Sequence, residues 1–275
     1  MTTTFGARLH AAVDERGALC AGIDPHESLL RQWGLDPDLA GLERFALTAA
    51  EALAPRVAVV KPQSAFYERF GSRGVAILER VIATSRSAGA LVLLDVKRGD
   101  IGSTTQAYAD AYLDPASPIA ADAITASPYL GVGSLGPMVE TARKHGAGVF
   151  VLALTSNPEG PEVQEAVSPA SGRTVADVVL DHLRSLNADA EPLGSFGAVV
   201  GATVEPGGHD LAFNGPILAP GYGAQGGTDD DLVRVFGPSI AQVLPSTSRE
   251  LLGAGPAGLA DAADRLNDRL RVLRR

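Results

Sequence analysis

The sequence predicts a closed (β/α)8 barrel, and three observations carry that prediction. Eight short apolar runs recur along the 275 residues, at 19–24, 57–62, 91–97, 123–127, 149–156, 196–203, 217–220 and 240–245. Each ends in small or polar residues and leads into a helix-compatible stretch, the alternation that builds a parallel sheet. Eight such units fit the roughly 250 residues typical of this barrel. A doubly wound open sheet is the architectural rival, because the same alternation permits it. No low-complexity linker or charge block divides the chain, so residues 1–275 are expected to form one barrel domain.

The elements follow in order. The run 19–24 closes on Gly22-Ile23-Asp24-Pro25, and helical periodicity follows over 42–53. The run 57–62 closes on Lys61-Pro62-Gln63, with a helical pattern over 74–87. The run 91–97 leads into Arg98-Gly99-Asp100-Ile101 and a helix over 105–113. The run 123–127 ends at Ser127 and precedes a helix over 138–145. The run 149–156 closes on Leu154-Thr155-Ser156-Asn157-Pro158, followed by a helix over 175–186. Gly- and Pro-rich stretches at 157–161 and 205–216 follow strands and read as βα loops. A terminal amphipathic helix over 257–273 offers Leu259, Leu266, Leu270 and Leu273 on one face.

Composition narrows the function classes. Lys and Arg number 23 against 32 Asp and Glu, a formal charge of −9, which argues against a nucleic-acid coat. Cys20 is the only cysteine, so neither an internal disulfide nor a cysteine-based zinc site is possible. His10, His26, His145, His182 and His209 show no metal-binding spacing. The N-terminus carries Asp14 and Glu15 without an apolar run, so it does not read as a signal peptide. No stretch approaches the roughly 20 apolar residues of a membrane span, and a cytoplasmic location is expected. Lys61, Lys97 and Lys144 are the only lysines; every other basic side chain is arginine.

The chemistry gathers at strand ends, where a parallel barrel carries its function. Side chains alternate along a strand, so Asp95 and Lys97 share a face above Leu91 and Leu93. Lys61 ends the neighbouring strand, with Val57 and Val59 expected below it, and neighbouring strands lie about 4.8 Å apart. Asp100 lies in the turn beyond. Lys61, Asp95, Lys97 and Asp100 are thus expected to form an alternating charge cluster at the mouth. A salt-bridge cluster that merely closes the barrel top is the bland alternative. Retaining several charges on apolar strands favours function. The second region is the glycine-rich stretch Pro220-Gly221-Tyr222-Gly223-Ala224-Gln225-Gly226-Gly227-Thr228. With the start of the following helix and Arg249 after the eighth run, it predicts an anion site for phosphate.

Together these residues resemble the orotidine 5′-phosphate decarboxylase family. The stretch Leu94-Asp95-Val96-Lys97-Arg98-Gly99-Asp100-Ile101 matches the family's Asp-x-Lys-x-x-Asp signature. Gly22-Ile23-Asp24-Pro25, Val60-Lys61-Pro62 and the segment 220–227 match in family order. Asp24-Pro25-His26, the segment 61–68 and Ser248-Arg249 resemble its longer bacterial branch.

The resemblance implies a homodimeric (β/α)8 barrel that converts orotidine monophosphate to uridine monophosphate and CO2 with no cofactor and no metal. It implies a catalytic network of Lys61, Asp95, Lys97 and Asp100, with Lys97 as proton donor. Asp100 and Thr104 would enter the neighbouring subunit's site. Asp24 would hold the ribose with help from Lys61, and Ser156 would read the pyrimidine, with Ser127 a weaker competitor. Pro220 opens the phosphate loop, where Gln225, the amides around Gly226, and Arg249 would hold the phosphate. The small nucleotide would be the partner, with neither nucleic acid nor membrane. Two rivals are a metal-dependent sugar-phosphate decarboxylase or aldolase-like relative and a non-catalytic nucleotide binder.

Overall fold

A computed structural model describes residues 3–205, 207–223 and 226–274. Eight parallel strands close into a barrel in sequence order: β1 (Cys20–Ile23), β2 (Val59–Pro62), β3 (Leu91–Arg98), β4 (Ala123–Ala126), β5 (Gly148–Leu154), β6 (Phe196–Val200), β7 (Ile217–Pro220) and β8 (Val243–Thr247). β1 closes the ring against β8 through Cys20↔Ser246 and Ala21↔Thr247. Closure excludes the open-sheet rival. The predicted helices are present, most starting two or three residues earlier than expected, as in Leu39–Leu53 and Gly71–Ser87. No described helix is long and apolar enough to cross a membrane.

Two apolar layers hold the fold. The outer one joins the strands' outward residues to the helices, with Phe45, Val60, Ile124 and Leu180 fully or nearly fully buried. The inner one fills the barrel with Cys20, Val59, Leu91, Leu93, Ala123, Phe150, Val199, Leu218 and Leu244. The helix Phe5–Arg16 plugs the lower end of the barrel, an element absent from the sequence reading. Thr4 caps its start by accepting from the Ala7 amide, and Phe5 meets Phe150 edge-on with ring centroids 5.9 Å apart. A Cβ on Gly148 would lie 2.4 Å from the Phe5 ring, so glycine there is what admits the plug.

Three expectations need correction. The eighth strand spans Val243–Thr247 rather than 240–245; Gly237-Pro238 instead starts the two-turn 3-10 helix Gly237–Gln242, which takes Ile240 out of the sheet. Val57 precedes β2 and packs in the outer layer, so only Val59 lies beneath Lys61 on the inner face. β5 ends at Leu154, which leaves Thr155 and Ser156 in the loop beyond it.

The inner layer also sets the site. Two residues above an inner-layer position the chain reaches the mouth on the same face. Val59 leads to Lys61, Leu93 to Asp95, Ala123 to Thr125 and Leu218 to Pro220.

Candidate active site

The predicted charge pair on β3 depends on an irregularity in the sheet. β3 pairs with β4 through Leu93↔Ala123 and Leu94↔Ile124, and then through Arg98↔Ala126. Four steps on β3 therefore oppose two on β4, and Asp95-Val96-Lys97 bulges out of register. Lys97 takes a left-handed backbone conformation, φ 46°, uncommon for a side chain of this size. The bulge turns Asp95 and Lys97 together into the mouth.

Asp95 is buried at the centre. Its Oδ2 accepts from Lys61 Nζ at 3.0 Å, and its Oδ1 accepts from Lys97 Nζ at 2.6 Å and from the Thr125 hydroxyl at 2.8 Å. The Gln63 amide donates to the Asp95 carbonyl at 3.1 Å, and its oxygen receives Lys97 Nζ at 3.4 Å. Burial alone would raise the Asp95 carboxyl, but the Lys61 and Lys97 ammoniums outweigh it and hold it well below the carboxylate range. Burial likewise disfavours the Lys61 ammonium, yet Asp95 and then Asp24 raise its pKa above the ordinary lysine value. The two lysines differ in access: the Lys61 side chain is 7% exposed and that of Lys97 is 45% exposed. Inside the barrel, burial pushes the Cys20 thiol up to about 12, which leaves it no role as a nucleophile.

The cluster forms the floor of a cleft of about 820 Å3 that Asp24, Ser127, Ser156 and Pro220 also line. Asp24 Oδ1 is buried without a hydrogen-bond partner among the described residues. A smaller cavity of about 60 Å3 adjoins it and shares Asp24, Lys61 and Pro220; Arg249 and Ser248 complete its wall. Asp24 and Lys61 therefore stand between the charge cluster and the predicted phosphate end.

Other predicted residues are arranged differently. Asp100 lies outside the cluster of its own chain, and its carboxylate accepts from the adjacent Ile101 amide at 2.8 Å. Thr104 is exposed in the first turn of Gly102–Leu113, and neither residue lines the cleft. Gln225 lies outside the described residues. The Gly226 amide donates to the Gly223 carbonyl at 2.8 Å, so in this conformation the loop itself uses it. The helix Asp229–Phe236 does not offer the expected anion site. Thr228 and Asp231 close a capping box at its start, and Asp229, Asp230 and Asp231 fill the first turn. Away from the cleft, Tyr67 is fully buried, and Trp33 packs half-buried against the outer apolar layer with its indole N–H donating to the Leu252 carbonyl at 2.8 Å.

Thr125 and Gln63 were missed as site residues by the sequence reading. The signal for Thr125 is its place two residues after the inner-layer Ala123. A third group was also missed. His209, in the loop after β6, bonds through Nδ1 to Asp177 Oδ1 at 2.8 Å and through Nε2 to Glu165 Oε1 at 3.1 Å. It ties that loop to the helix Val175–Leu186 and to the end of Pro161–Gln164, beside the cleft-lining Val163 and Gln164.

Comparison with known proteins places relatives beside this geometry. The profile of the orotidine 5′-phosphate decarboxylase / HUMPS family matches residues 17–260. An orotidine 5′-phosphate decarboxylase of Nocardioides sp. is 69% identical, over 97% of this chain and 98% of that relative. One from Streptomyces coelicolor is 60% identical, over 98% and 97%. A crystal structure from Streptomyces avermitilis superposes with a TM-score of 0.96 at 59% identity, covering 99% of this chain and 96% of that one. The OMP decarboxylase of Leishmania donovani superposes with a TM-score of 0.77 at 30% identity, covering 99% of each chain.

Proposed function

The chain belongs to the orotidine 5′-phosphate decarboxylase / HUMPS family, and on that premise we propose that it is a carboxy-lyase of pyrimidine biosynthesis, converting orotidine 5′-monophosphate to uridine 5′-monophosphate and CO2 without a cofactor. The observation that carries this reading is the clamp on Asp95: one buried ammonium behind it and one half-open ammonium facing the cleft.

The chemistry follows from that clamp. The bond from the pyrimidine ring carbon to the carboxylate breaks, CO2 leaves, and the electron pair stays on the ring carbon. Lys97 Nζ stabilises that charge and delivers a proton to the carbon, and the neutral amine then regains a proton from solvent. Lysine suits the step because an ammonium gives up a proton and a guanidinium does not. Asp95 aims Lys97 and meets the departing carboxylate with like charge. Lys61 keeps Asp95 ionised.

The remaining roles divide along the cleft. Asp24, whose buried Oδ1 has no hydrogen-bond partner among the described residues, accepts from a ribose hydroxyl, and Lys61 donates to the sugar. Ser156 contacts the pyrimidine, with Ser127, after the neighbouring strand β4, as the weaker competitor for that contact. Arg249 forks onto the phosphate, with Gln225 and the Pro220–Gly226 loop closing around it. Use of the Gly226 amide requires the loop to give up its internal bond to Gly223. Asp100 and Thr104, outside the cleft of their own chain, act in the site of a partner in a homodimer. Ile101, 62% exposed between them, supplies apolar surface for that contact. Residues 1–275 act as one barrel domain in the cytoplasm.

The test is direct. Purified protein with no added metal should bleach the absorbance of orotidine monophosphate and release one CO2 per nucleotide. Activity abolished by EDTA and restored by Mg2+ would overturn the cofactor-free reading. Mixed Lys97→Ala and Asp100→Ala subunits should regain activity that neither has alone; no recovery after confirmed exchange would contradict the shared site.

A further inference from the structure

We infer that Thr125 is a positioning residue for the catalytic lysine, its hydroxyl locking the β3 bulge that brings Lys97 over Asp95. This rests on the proposed decarboxylase reading for the identity of the reaction, and on geometry alone for the lock.

The bulge has a hydrogen-bonding problem. Where β3 leaves register with β4, the Lys97 amide loses the carbonyl a regular ladder would offer it. The Thr125 hydroxyl oxygen takes that place, accepting from the Lys97 amide at 2.9 Å. The same hydroxyl donates to Asp95 Oδ1 at 2.8 Å. Its direction is fixed by its partners. An amide N–H can only donate, and Asp95, kept ionised by Lys61 and Lys97, can only accept. One buried hydroxyl thus joins the backbone of one catalytic residue to the carboxylate of another. Thr125 is almost fully buried, so water does not compete for either bond.

The consequence is geometric. The left-handed conformation of Lys97 is sparsely populated for a non-glycine residue and persists only where its surroundings hold it. Thr125 holds it from the β4 side. With the hydroxyl removed, the Lys97 amide and one lone pair of Asp95 Oδ1 lose their partner together. The carboxylate is then fixed only by the two ammoniums, and Lys97 samples other backbone conformations. Displacement of a reacting group by about 1 Å is enough to lower a rate by about 100-fold. Nucleotide binding draws on Asp24, Ser156 and Arg249; Thr125 lines the same cleft, but among the described residues its hydroxyl bonds only to the Lys97 amide and Asp95, so affinity should survive.

The experiment compares Thr125→Val, which keeps the shape and removes the hydroxyl, with Thr125→Ser, which keeps the hydroxyl. The valine protein should lose about 10–100-fold in kcat with KM within about threefold. The serine protein should stay within about threefold of wild type in both. A second readout does not depend on turnover. Lysine-selective 15N labelling gives amide signals from only Lys61, Lys97 and Lys144. The Lys97 amide should exchange with solvent at least about tenfold faster in the valine protein, and the serine protein should protect it as wild type does. If valine prevents folding, Thr125→Ala removes the same hydroxyl and is read the same way. Wild-type kcat in the valine protein, equal losses in valine and serine, or an unchanged Lys97 exchange rate would each overturn the inference. An inactive wild type with a Thr125-dependent Lys97 amide would instead defeat the decarboxylase reading and leave the lock standing.

Discussion

Two buried aspartates lie at opposite ends of the same barrel, each held between two cations and each bonded to β3 or its neighbour. At the mouth, Asp95 takes Lys61, Lys97 and the Thr125 hydroxyl. At the lower end, Asp122 takes Arg8 at 2.6 Å, Arg86 at 3.1 Å and the Val92 amide at 2.9 Å. Burial would raise both carboxyls, and in both the flanking cations win and lower them. The electrostatics are alike; the cations are not. Guanidinium forks at Asp122 stay charged and clamp the plugging helix to the barrel wall, Arg8 also reaching the Gly146 carbonyl at 2.9 Å. Ammoniums at Asp95 face the large cleft, and one of them is half open to it. A buried ion cluster is therefore ambiguous until the type of cation and its access to a ligand are known.

Replacing one member at each end should separate the two. The largest effect is expected at Lys97→Ala: a fall of at least about 1,000-fold in turnover, with uridine monophosphate still bound in a titration. Retained turnover would reduce the upper cluster to a structural one like the lower.

Next in size is Asp122→Asn. It should cost about 3 kcal/mol in urea unfolding and leave the turnover of folded protein within about twofold, because two arginines lose their buried counter-charge. The pH dependence has a definite sign. A carboxyl lowered in the folded state stabilises above its unfolded value near pH 4, and that contribution is lost as pH falls. The wild-type acid limb should therefore be steeper than that of Asp122→Asn. Superimposable limbs would mean that the lower cluster stabilises nothing.

The smallest effect belongs to a third cluster that reverses the pattern, one cation between two carboxylates. Burial opposes the charged His209 ring, but Asp177 and Glu165 outweigh it and raise its pKa, with Arg173 beside Asp177 at 3.7 Å. This latch is complete below the ordinary histidine value near pH 6.5 and weakens as pH rises through the raised value. Proteolysis within 157–173 should accelerate over that range, and His209→Gln should remove the step. A pH-independent cleavage rate in wild type would break the parallel.

How far the sequence revealed these clusters follows from chain distance. Lys61 and Asp95 were legible because each sits two residues above an apolar inner-layer position, Val59 and Leu93, and Lys97 follows Asp95 by the same local period. Asp122, Arg8 and Arg86 come from three separated segments, and nothing local to any of them announces the others. Thr125 looks like any strand hydroxyl until the register shift opposite it is seen. The left-handed Lys97 has no glycine to signal it. The capping box Thr228-x-x-Asp231 was readable, and it marked the start of Asp229–Phe236 as already satisfied rather than open to an anion. The first helix carried the signals of a Thr4 cap and Phe5 with Leu9 one turn apart, but it lies outside the eight strand–helix units whose alternation prompted the other readings.

The contrast between ammonium and guanidinium is tested most directly by single-turnover decarboxylation in Lys97→Arg protein, with nucleotide binding measured in parallel. The substitution keeps the positive charge beside Asp95 and removes the readily transferred proton. Turnover should fall at least about 1,000-fold, as in the alanine protein, while uridine monophosphate binds within about tenfold of wild type. Turnover within tenfold of wild type would show that positive charge alone suffices, and would contradict the assignment of Lys97 as the proton donor.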